Sequence, residues 1–255
     1  MPTNRRISFL DLEFDVADME AALDWLRSPA AGDAFRYVVT PNVDHVVRLD
    51  SASSRRAGNR DAYLLADLCL CDSRILSRLA RWCGLRLPVV TGSDLTDQLL
   101  GRIVKPGDRI VVIGGDAALQ EGLAARFPKV EWIQHQPPMG LASNPAAIEA
   151  AALFVARQHA RFTFLAVGSP QQELIAVRTS RVPGATGTAL CIGAALQFVT
   201  DQEKRAPTFV RRIGFEWTYR LAVQPRRMWR RYLVEGPKIF LIAWRWRRAV
   251  AAVPR

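Results

Sequence analysis

The 255-residue chain is 49% hydrophobic and 23% charged, a composition typical of folded globular proteins that excludes an intrinsically disordered chain. Its length is enough to bury a full core in one large domain, or in one domain with an appendage. The formal net charge of +11 indicates an anionic partner, for which nucleic acid, anionic lipid and a phosphorylated substrate are the candidates.

Short β-prone segments alternate with amphipathic helical segments through the first 200 residues. The predicted strands are residues 7–14, 37–40, 68–71, 87–90, 109–113, 130–133, 162–167 and 189–192, and the predicted helices include residues 18–26, 76–82, 117–126 and 145–157. This alternation predicts an α/β fold with a Rossmann-like, mostly parallel sheet and helices on both faces. Such sheets bind ligands at the carboxyl ends of their strands.

After Pro207 the pattern becomes helical only, which predicts a helical C-terminal appendage. Residues 204–255 contain 14 Lys and Arg but only two acidic residues, whereas residues 1–203 contain 21 basic and 22 acidic residues. The excess positive charge therefore belongs to the C-terminal end. We divide the chain into an α/β body, residues 1–200, and a basic, aromatic appendage, residues 201–255.

Cysteine usage and the N-terminal sequence bear on location. The chain has four cysteines and no C-x-x-C pair, so free thiols in a reduced, cytoplasmic compartment are expected; they are Cys69, Cys71, Cys83 and Cys191. The first residues lack the apolar run of a signal peptide, and no segment approaches the roughly 20 apolar residues that span a bilayer. We expect a protein that lies on a membrane without crossing it.

Two early turns carry polar residues that suggest chemistry. Thr40 and Asn42 follow one predicted strand, although a turn with local helix capping is the favoured explanation of this segment taken alone. Asp72 follows the next apolar run, where a buried strand opens into a ligand-binding cleft. The alternative for Asp72 is the N-cap of a helix that starts near Arg74. Asp67 is a competing carboxylate, but it lies at the start of that strand.

Two later turns are rich in glycine or amide residues. Gly114 and Gly115 join a strand to a helix and allow close approach of a phosphate, although a tight turn explains them equally well. Gly168 ends a strand, and Ser169 has the spacing of a helix N-cap. Capping does not require the Gln172 and Glu173 side chains that follow.

Several chemistries find no sequence support. The chain has no D-x-D, H-E-x-x-H, Walker loop or G-x-S-x-G motif, and its three histidines lack the spacing of metal ligands. We therefore predict no metal site and no cofactor.

A set of motifs resembles the WecG/TagA/CpsF family of bacterial glycosyltransferases, in the family's order and over roughly residues 7–235. These motifs are TPN at 40–42, AD-x4-D at 66–72, TGSDL at 91–95, IGG at 113–115, VGSPQQE at 167–173, RAP at 205–207, and finally EW-x-YRL and QPRRMWRRYL. The resemblance implies transfer of a hexose from a UDP-sugar to a polyprenyl-diphosphate-linked saccharide, with inversion and without a tightly bound metal. The resemblance further implies that the product belongs to a bacterial exopolysaccharide or cell-surface glycopolymer.

The resemblance also implies roles for individual residues. Asp72 corresponds to the catalytic base, with Asp94 next in line, and Thr40 and Asn42 line the pocket between donor and acceptor. The expected substrate-binding set is Asn42, Asp94, Gly114, Gly115, Gly168, Gln172, Glu173, Arg220, Arg227, Arg230 and Arg231. The four arginines in this set would close over the diphosphate, whose charge suits guanidinium groups.

The composition of the appendage suggests a second task. Aromatic and basic residues within 238–248 are typical of a helix that lies in the membrane interface. We expect peripheral attachment to the anionic cytoplasmic face of the bacterial inner membrane, no nucleic-acid partner, and either a monomer or a homo-oligomer. Two alternatives stay open, a non-catalytic α/β protein that binds nucleic acid or another polyanion through its basic tail, and a non-catalytic scaffold of a polysaccharide assembly.

Overall fold

A computed structural model describes residues 5–28, 34–51, 59–204, 206–207, 209–210 and 216–252. Within these ranges the strands are β1 Arg6–Phe9, β2 Leu12–Asp15, β3 Arg36–Val39, β4 Leu68–Cys69, β5 Arg109–Ile113, β6 Glu131–His135, β7 Phe162–Leu165 and β8 Thr188–Cys191. Strands β1 and β2 form an antiparallel hairpin, and the other six form one parallel sheet in the order β4-β3-β8-β7-β5-β6. The predicted α/β fold with a parallel sheet is confirmed.

The strands of the sheet end at one level. Val39 of β3 lies opposite both Cys69 of β4 and Cys191 of β8, and Leu165 of β7 lies opposite Cys191 and Ile113. The loops after these strands therefore emerge side by side along one edge, which we call the carboxyl edge. Parallel α/β sheets bind their ligands at this edge.

Helices cover both faces of the sheet. In the described ranges they are α1 Met19–Arg27, α2 Val43–Leu49, α3 Asp61–Leu64, α4 Arg74–Trp82, α5 Gly92–Arg102, α6 Ala117–Arg126, α7 Pro145–Gln158, α8 Gln171–Thr179, α9 Ala195–Val199, α10 Glu216–Val223, α11 Pro225–Trp229 and α12 Lys238–Ala251, with a 3-10 turn at Leu141–Ser143 and a π-helical turn at Arg230–Glu235. Several begin at a side chain whose oxygen accepts a hydrogen bond from the first turn, as helix starts favour; these N-caps are Asp18, Ser73, Thr91, Asp116 and Asn144.

Two buried clusters show which helices share a face. One joins α2, α3, α4, α7, α8 and α12 to the sheet, and the other joins α1, α5, α6 and α9 to the opposite face. Helices α2 and α9, which follow the adjacent strands β3 and β8, thus lie on opposite faces. Chain segments that diverge in this way leave a crevice between the two strand ends, where ligands of open α/β sheets bind.

Two local predictions were wrong. The segment 7–14, predicted as one strand, is a hairpin, because Leu10 and Asp11 adopt left-handed backbone conformations with φ of 53° and 58°. Residues 87–90 form no strand. In this segment the backbone N–H of Val90 donates a hydrogen bond to Cys71 O, just after β4. Pro88 has no N–H to donate to a strand pairing.

The C-terminal helix α12 is packed onto the body. Ile239, Ile242 and Ala243 are buried in the same cluster as the sheet, and the Trp246 ring packs edge-on against Phe9 at 5.3 Å. The division at residue 200 stays a prediction. Cys69, Cys71 and Cys191 are buried free thiols, as expected from the sequence. Among the described residues, none of the helices combines the length and apolar character that crossing a bilayer requires.

Candidate active site

Three loops meet at the crevice beside β3. Thr40, which follows β3, is buried, and its Oγ1 donates a hydrogen bond to Cys191 O at the end of β8, 3.2 Å away. Asp72 follows β4, and its backbone N–H bonds to Pro41 O. A Cβ atom added to Gly92 would lie 3.0 Å from Thr40 Oγ1 and 3.9 Å from Asp72 Oδ2. Thr40, Asp72 and Gly92 therefore lie together at the carboxyl edge, and we call this polar cluster the Thr40 pocket.

Helix capping does not account for Asp72. The N-cap of α4 is Ser73, whose side chain accepts the hydrogen bond from Leu76 N. The competing carboxylate, Asp67, accepts a hydrogen bond from Tyr37 N near the start of β4, away from the carboxyl edge. Of these two carboxylates, Asp72 is the one placed at the ligand-binding edge.

Asn42, by contrast, is a helix cap. Its Oδ1 accepts hydrogen bonds from Asp44 N at 3.0 Å and His45 N at 3.4 Å, and the His45 Nδ1 accepts one from Asn42 N. Burial of the ring, together with the charges of Arg48 and Arg231, lowers the pKa of His45 well below its usual value. The neutral ring is the form that can accept the Asn42 bond. The capping interpretation of Asn42 is confirmed, and its proposed contact with substrate stays a prediction.

Asp94 also has a role at a helix start. It lies in the first turn of α5, where its Oδ2 accepts a hydrogen bond from the Thr91 hydroxyl at 2.7 Å. The Thr91 oxygen in turn accepts from Asp94 N. These bonds fix the loop that carries Gly92 against Thr40, so Asp94 acts on the Thr40 pocket through the position of α5.

Gln172 and Glu173 are buried at the start of α8, with exposed fractions of 3% and 1%. Gln172 Oε1 accepts a hydrogen bond from Gly193 N, and Gln172 Nε2 donates one to Glu173 Oε1. Burial raises the pKa of Glu173, opposed by hydrogen bonds from Gln172 and its neighbours. Gln172 thus ties the turn after β7 to the turn after β8, and both side chains lie beneath the edge of the crevice.

The turn before α8 is held by residues from α2 and α3. The Ser169 hydroxyl lies 2.9 Å from the Tyr63 hydroxyl, and the backbone carbonyl of Ser169 accepts a hydrogen bond from Arg48 Nη1 at 2.7 Å. The expectation that Ser169 caps the helix was wrong, because its hydroxyl turns toward Tyr63 instead. Gly168 has φ of +78°, and a Cβ added there would meet no atom within 4 Å, so the backbone conformation and not close packing accounts for this glycine.

Gly114 and Gly115 form a tight turn between β5 and α6. Both have positive φ, and a Cβ would lie 2.9 Å from Val167 Cγ1 at Gly114 and 2.3 Å from Leu119 Cδ2 at Gly115. The Gln134 amide donates a hydrogen bond to Gly114 O. The glycines are thus explained by close packing of the turn against its neighbours.

The appendage reaches both sides of the crevice. The Arg220 guanidinium lies 5.2 Å from the Phe198 ring centroid on α9, and Arg231 Nη2 lies 3.6 Å from Asp44 Oδ2 on α2. The segment between them therefore runs across the carboxyl edge from one face to the other. Arg231 Nε is buried and has no hydrogen-bond partner within the described ranges. Arg230 is exposed, and the side chain of Arg227 lies outside the described residues.

Four residues of this site were missed by the sequence reasoning: Gly92, Arg48, Tyr63 and Gly193. Gly92 lies within the TGSDL motif, where the carboxylate of Asp94 attracted the functional interpretation. Arg48 lies six residues after Asn42 on α2, so a search for basic residues on the helix after the first turn would have found it. The sequence gives no comparable signal for Tyr63 or Gly193.

Comparison with known families identifies one match. Residues 7–252 match the model of the Glycosyl transferase WecG/TagA/CpsF family, which covers nearly the whole chain. In the described part of the chain, no three His, Cys, Asp or Glu side chains are grouped as a metal ion would require.

Proposed function

The chain belongs to the WecG/TagA/CpsF family of glycosyltransferases, and we propose that it transfers a hexose from a UDP-sugar to a polyprenyl-diphosphate-linked saccharide with inversion. The observation that carries this proposal is the Thr40 pocket, in which a carboxylate at the carboxyl edge lies beside a buried hydroxyl and a glycine. The Asp72 carboxylate there is a group able to take a proton at the ligand-binding edge.

Asp72 acts as the general base in this proposal. The acceptor hydroxyl loses its proton to the Asp72 carboxylate as its oxygen bonds to the anomeric carbon from the face opposite UDP. The bond between that carbon and the UDP oxygen breaks at the same time, and UDP leaves with the electron pair. A positioned base of this kind contributes about 10²–10⁴-fold in rate. Thr40 orients the sugar while its hydroxyl keeps its hydrogen bond to Cys191 O.

Arginines of the appendage stabilise the charge that develops on UDP. A guanidinium fork matches phosphate oxygens in geometry and carries its charge at any physiological pH. Arg231 supports this role because its Nε is buried and unpaired in the described structure, which a phosphate oxygen would correct. Arg220 lies on the other side of the crevice, so the two arginines approach a diphosphate from opposite walls.

The outward side of α12 attaches the enzyme to the membrane. Phe240, Leu241 and Trp244 are exposed there, and Arg248 stacks over the Trp244 ring at 4.7 Å. Aromatic and aliphatic side chains next to arginines suit the boundary between acyl chains and anionic headgroups. A lipid-linked acceptor would then meet the crevice at the surface of the bilayer in which it is anchored.

The decisive test replaces the proposed base in the full-length enzyme. A panel of UDP-hexoses is offered with a short-chain prenyl-diphosphate saccharide, and the product mass and rate are measured. Asp72→Asn should bind UDP normally and lose about 10²–10⁴-fold in rate. Asp67→Asn is the matched control, since it makes the same change at the other end of the same strand and should keep the rate.

Two outcomes would contradict this proposal. Near-normal transfer by Asp72→Asn would move the base elsewhere, and Asp94 would be examined next. Absence of transfer from every UDP-hexose by the unaltered enzyme, together with no protection by UDP in a melting assay, would exclude a UDP-sugar as the donor.

A further inference from the structure

Helix α4 presents a row of arginines to solvent. Arg74, Arg78 and Arg81 are exposed at helical spacing, whereas Leu76 and Leu79 on the opposite side are buried against the sheet. The sequence from 73 to 93 contains four arginines and no acidic residue. The body thus contains a strongly basic helix, although its net charge is close to zero.

The C-terminal end of α4 contacts α12. Trp82, the last residue of α4, is 46% exposed, and the Arg247 guanidinium of α12 stacks over its ring at 4.3 Å. Both helices pack on the same buried cluster and the same face of the sheet. Their outer sides therefore turn away from the sheet in the same general direction.

The two outer sides have complementary compositions. Helix α4 supplies charge through three arginines and has one exposed ring, at Trp82, while α12 supplies apolar area through Phe240, Leu241 and Trp244. An apolar aromatic strip has no role against the phosphates of a nucleic-acid duplex, whereas a bilayer offers an apolar interior directly beneath anionic headgroups. This combination favours a lipid surface over other anionic partners.

We propose that α4 and α12 form one surface that binds an anionic phospholipid bilayer, with the α4 arginines on the headgroup phosphates and the α12 side chains in the interface. The inference rests on the membrane attachment proposed for α12 and adds α4 to it. Two helices in contact with the bilayer fix the orientation of the enzyme, which a single helix, free to rotate about its own axis, does not.

The test is co-flotation of the full-length protein with vesicles made of equal parts phosphatidylcholine and phosphatidylglycerol. A triple variant, Arg74→Gln, Arg78→Gln and Arg81→Gln, should lose roughly fivefold in vesicle partitioning for each arginine removed, since each basic residue near an anionic surface contributes about 1 kcal/mol. Its transfer rate on a short-chain acceptor in detergent-free solution should be unchanged, because none of the three residues lies in the Thr40 pocket.

The control is a triple variant with the same change in charge, Lys105→Gln, Arg109→Gln and Lys129→Gln. These exposed residues lie at the amino ends of β5 and β6, at the opposite edge of the sheet from β4. It should float like the unaltered protein. Equal loss in both triple variants would show that only net charge matters and would overturn the inference, as would full flotation of the α4 variant.

The membrane attachment of α12 and the role of α4 can fail separately. If Trp244→Ser abolishes flotation while the α4 variant floats normally, attachment through α12 stands and the inference about α4 is wrong. If the unaltered protein fails to float with anionic vesicles, membrane attachment itself is wrong. Flotation that persists with pure phosphatidylcholine would exclude the headgroup charge as a contributor.

Discussion

Gly92 brings the backbone of α5 against Thr40, and the Thr40 pocket depends on its lack of a side chain. In Gly92→Ala the new methyl group would lie 3.0 Å from Thr40 Oγ1, so Thr40 or the start of α5 must shift by a few tenths of an ångström. We expect the variant to fold and to lose roughly 10–100-fold in kcat/KM for the UDP-sugar, as misplaced groups in active sites do.

Gly101→Ala is the matched control for this change. It lies in the same helix, where an added Cβ would meet nothing within 4 Å. Its transfer rate should be that of the unaltered enzyme, and the free energy of unfolding should rise by about 1 kcal/mol because alanine favours the helix. Equal activity of the Gly92→Ala and Gly101→Ala variants would show that the pocket tolerates the methyl group.

Glu173 predicts a dependence of stability on pH. Burial raises the pKa of Glu173 above the ordinary value of 4.5, so the folded state holds this proton more tightly than the unfolded chain does. The resulting stabilisation is complete below the unfolded pKa and is lost as pH rises through the folded pKa. Glu173→Gln stays neutral and keeps an acceptor for Gln172. The melting temperature of the variant minus that of the unaltered protein should therefore increase as pH rises.

The measurement is thermal unfolding between about pH 4 and about pH 8, the range in which a raised carboxyl pKa acts. The exposed Glu149→Gln on α7 serves as the control and should follow the unaltered protein throughout. A constant difference between Glu173→Gln and the unaltered protein over this range would mean that Glu173 ionises as easily in the folded protein as in the unfolded one.

The sequence allowed part of this site to be predicted. Asp72 and Thr40 were found because a polar residue directly after an apolar run marks the end of a buried strand. Gly92 and Arg48 act through neighbours that are distant in the chain. Gly92 matters only because Thr40 lies opposite, and Arg48 matters only because Ser169 O lies within its reach. Neither relation exists before the sheet is assembled.

The strands and helices were predicted best where the hydrophobic pattern was strong. Residues 109–113 and 117–126 form a strand and a helix with the predicted bounds. The hairpin between β1 and β2 was missed because its turn is made by Leu10 and Asp11, and leucine rarely adopts the left-handed conformation. The Gly or Asn residues that announce such turns in a sequence are absent from this one.

Helix α12 has two sides with different tasks, which a pair of tryptophans can separate. Trp246→Ala removes a partly buried ring that packs on Phe9, and should lower the free energy of unfolding by about 2 kcal/mol or more. Trp244→Ala removes an exposed ring and should leave unfolding nearly unchanged while weakening flotation with anionic vesicles. Chemical denaturation measures the first effect, and vesicle co-flotation measures the second.

The reverse pattern, with Trp244→Ala unfolding early and Trp246→Ala floating poorly, would mean that α12 packs with its other side on the body. Loss of both properties in both variants would show that both rings support the packing of α12, so that its two sides do not have separate tasks.

For the molecule as a whole, the number of charges in each part of the sequence did not predict where basic surfaces form in the fold. The count separated a neutral body from a basic appendage. The fold places the arginines of α4 next to α12, because Trp82 and Arg247 come together from positions 165 residues apart in the sequence. The division at residue 200, which rests on composition, therefore assigns α4 and α12 to different parts, although their outer sides are neighbours in the fold. The parallel sheet itself followed from the alternating pattern, which reports local burial and needs no such long-range pairing.

The contacts that hold the crevice together are shorter at its base than at its opening. At its base, Thr40, Gln172 and Tyr63 tie adjacent turns together through hydrogen bonds of 2.9–3.2 Å. At the opening, the described contact between Arg231 and Asp44 is a half-buried ion pair of 3.6 Å, longer than any of these hydrogen bonds. We therefore expect movement during turnover to be largest at the rim. Opening there to release a product would leave the hydrogen bonds at the base in place, so that the groups that align the next pair of substrates stay in register from one cycle to the next.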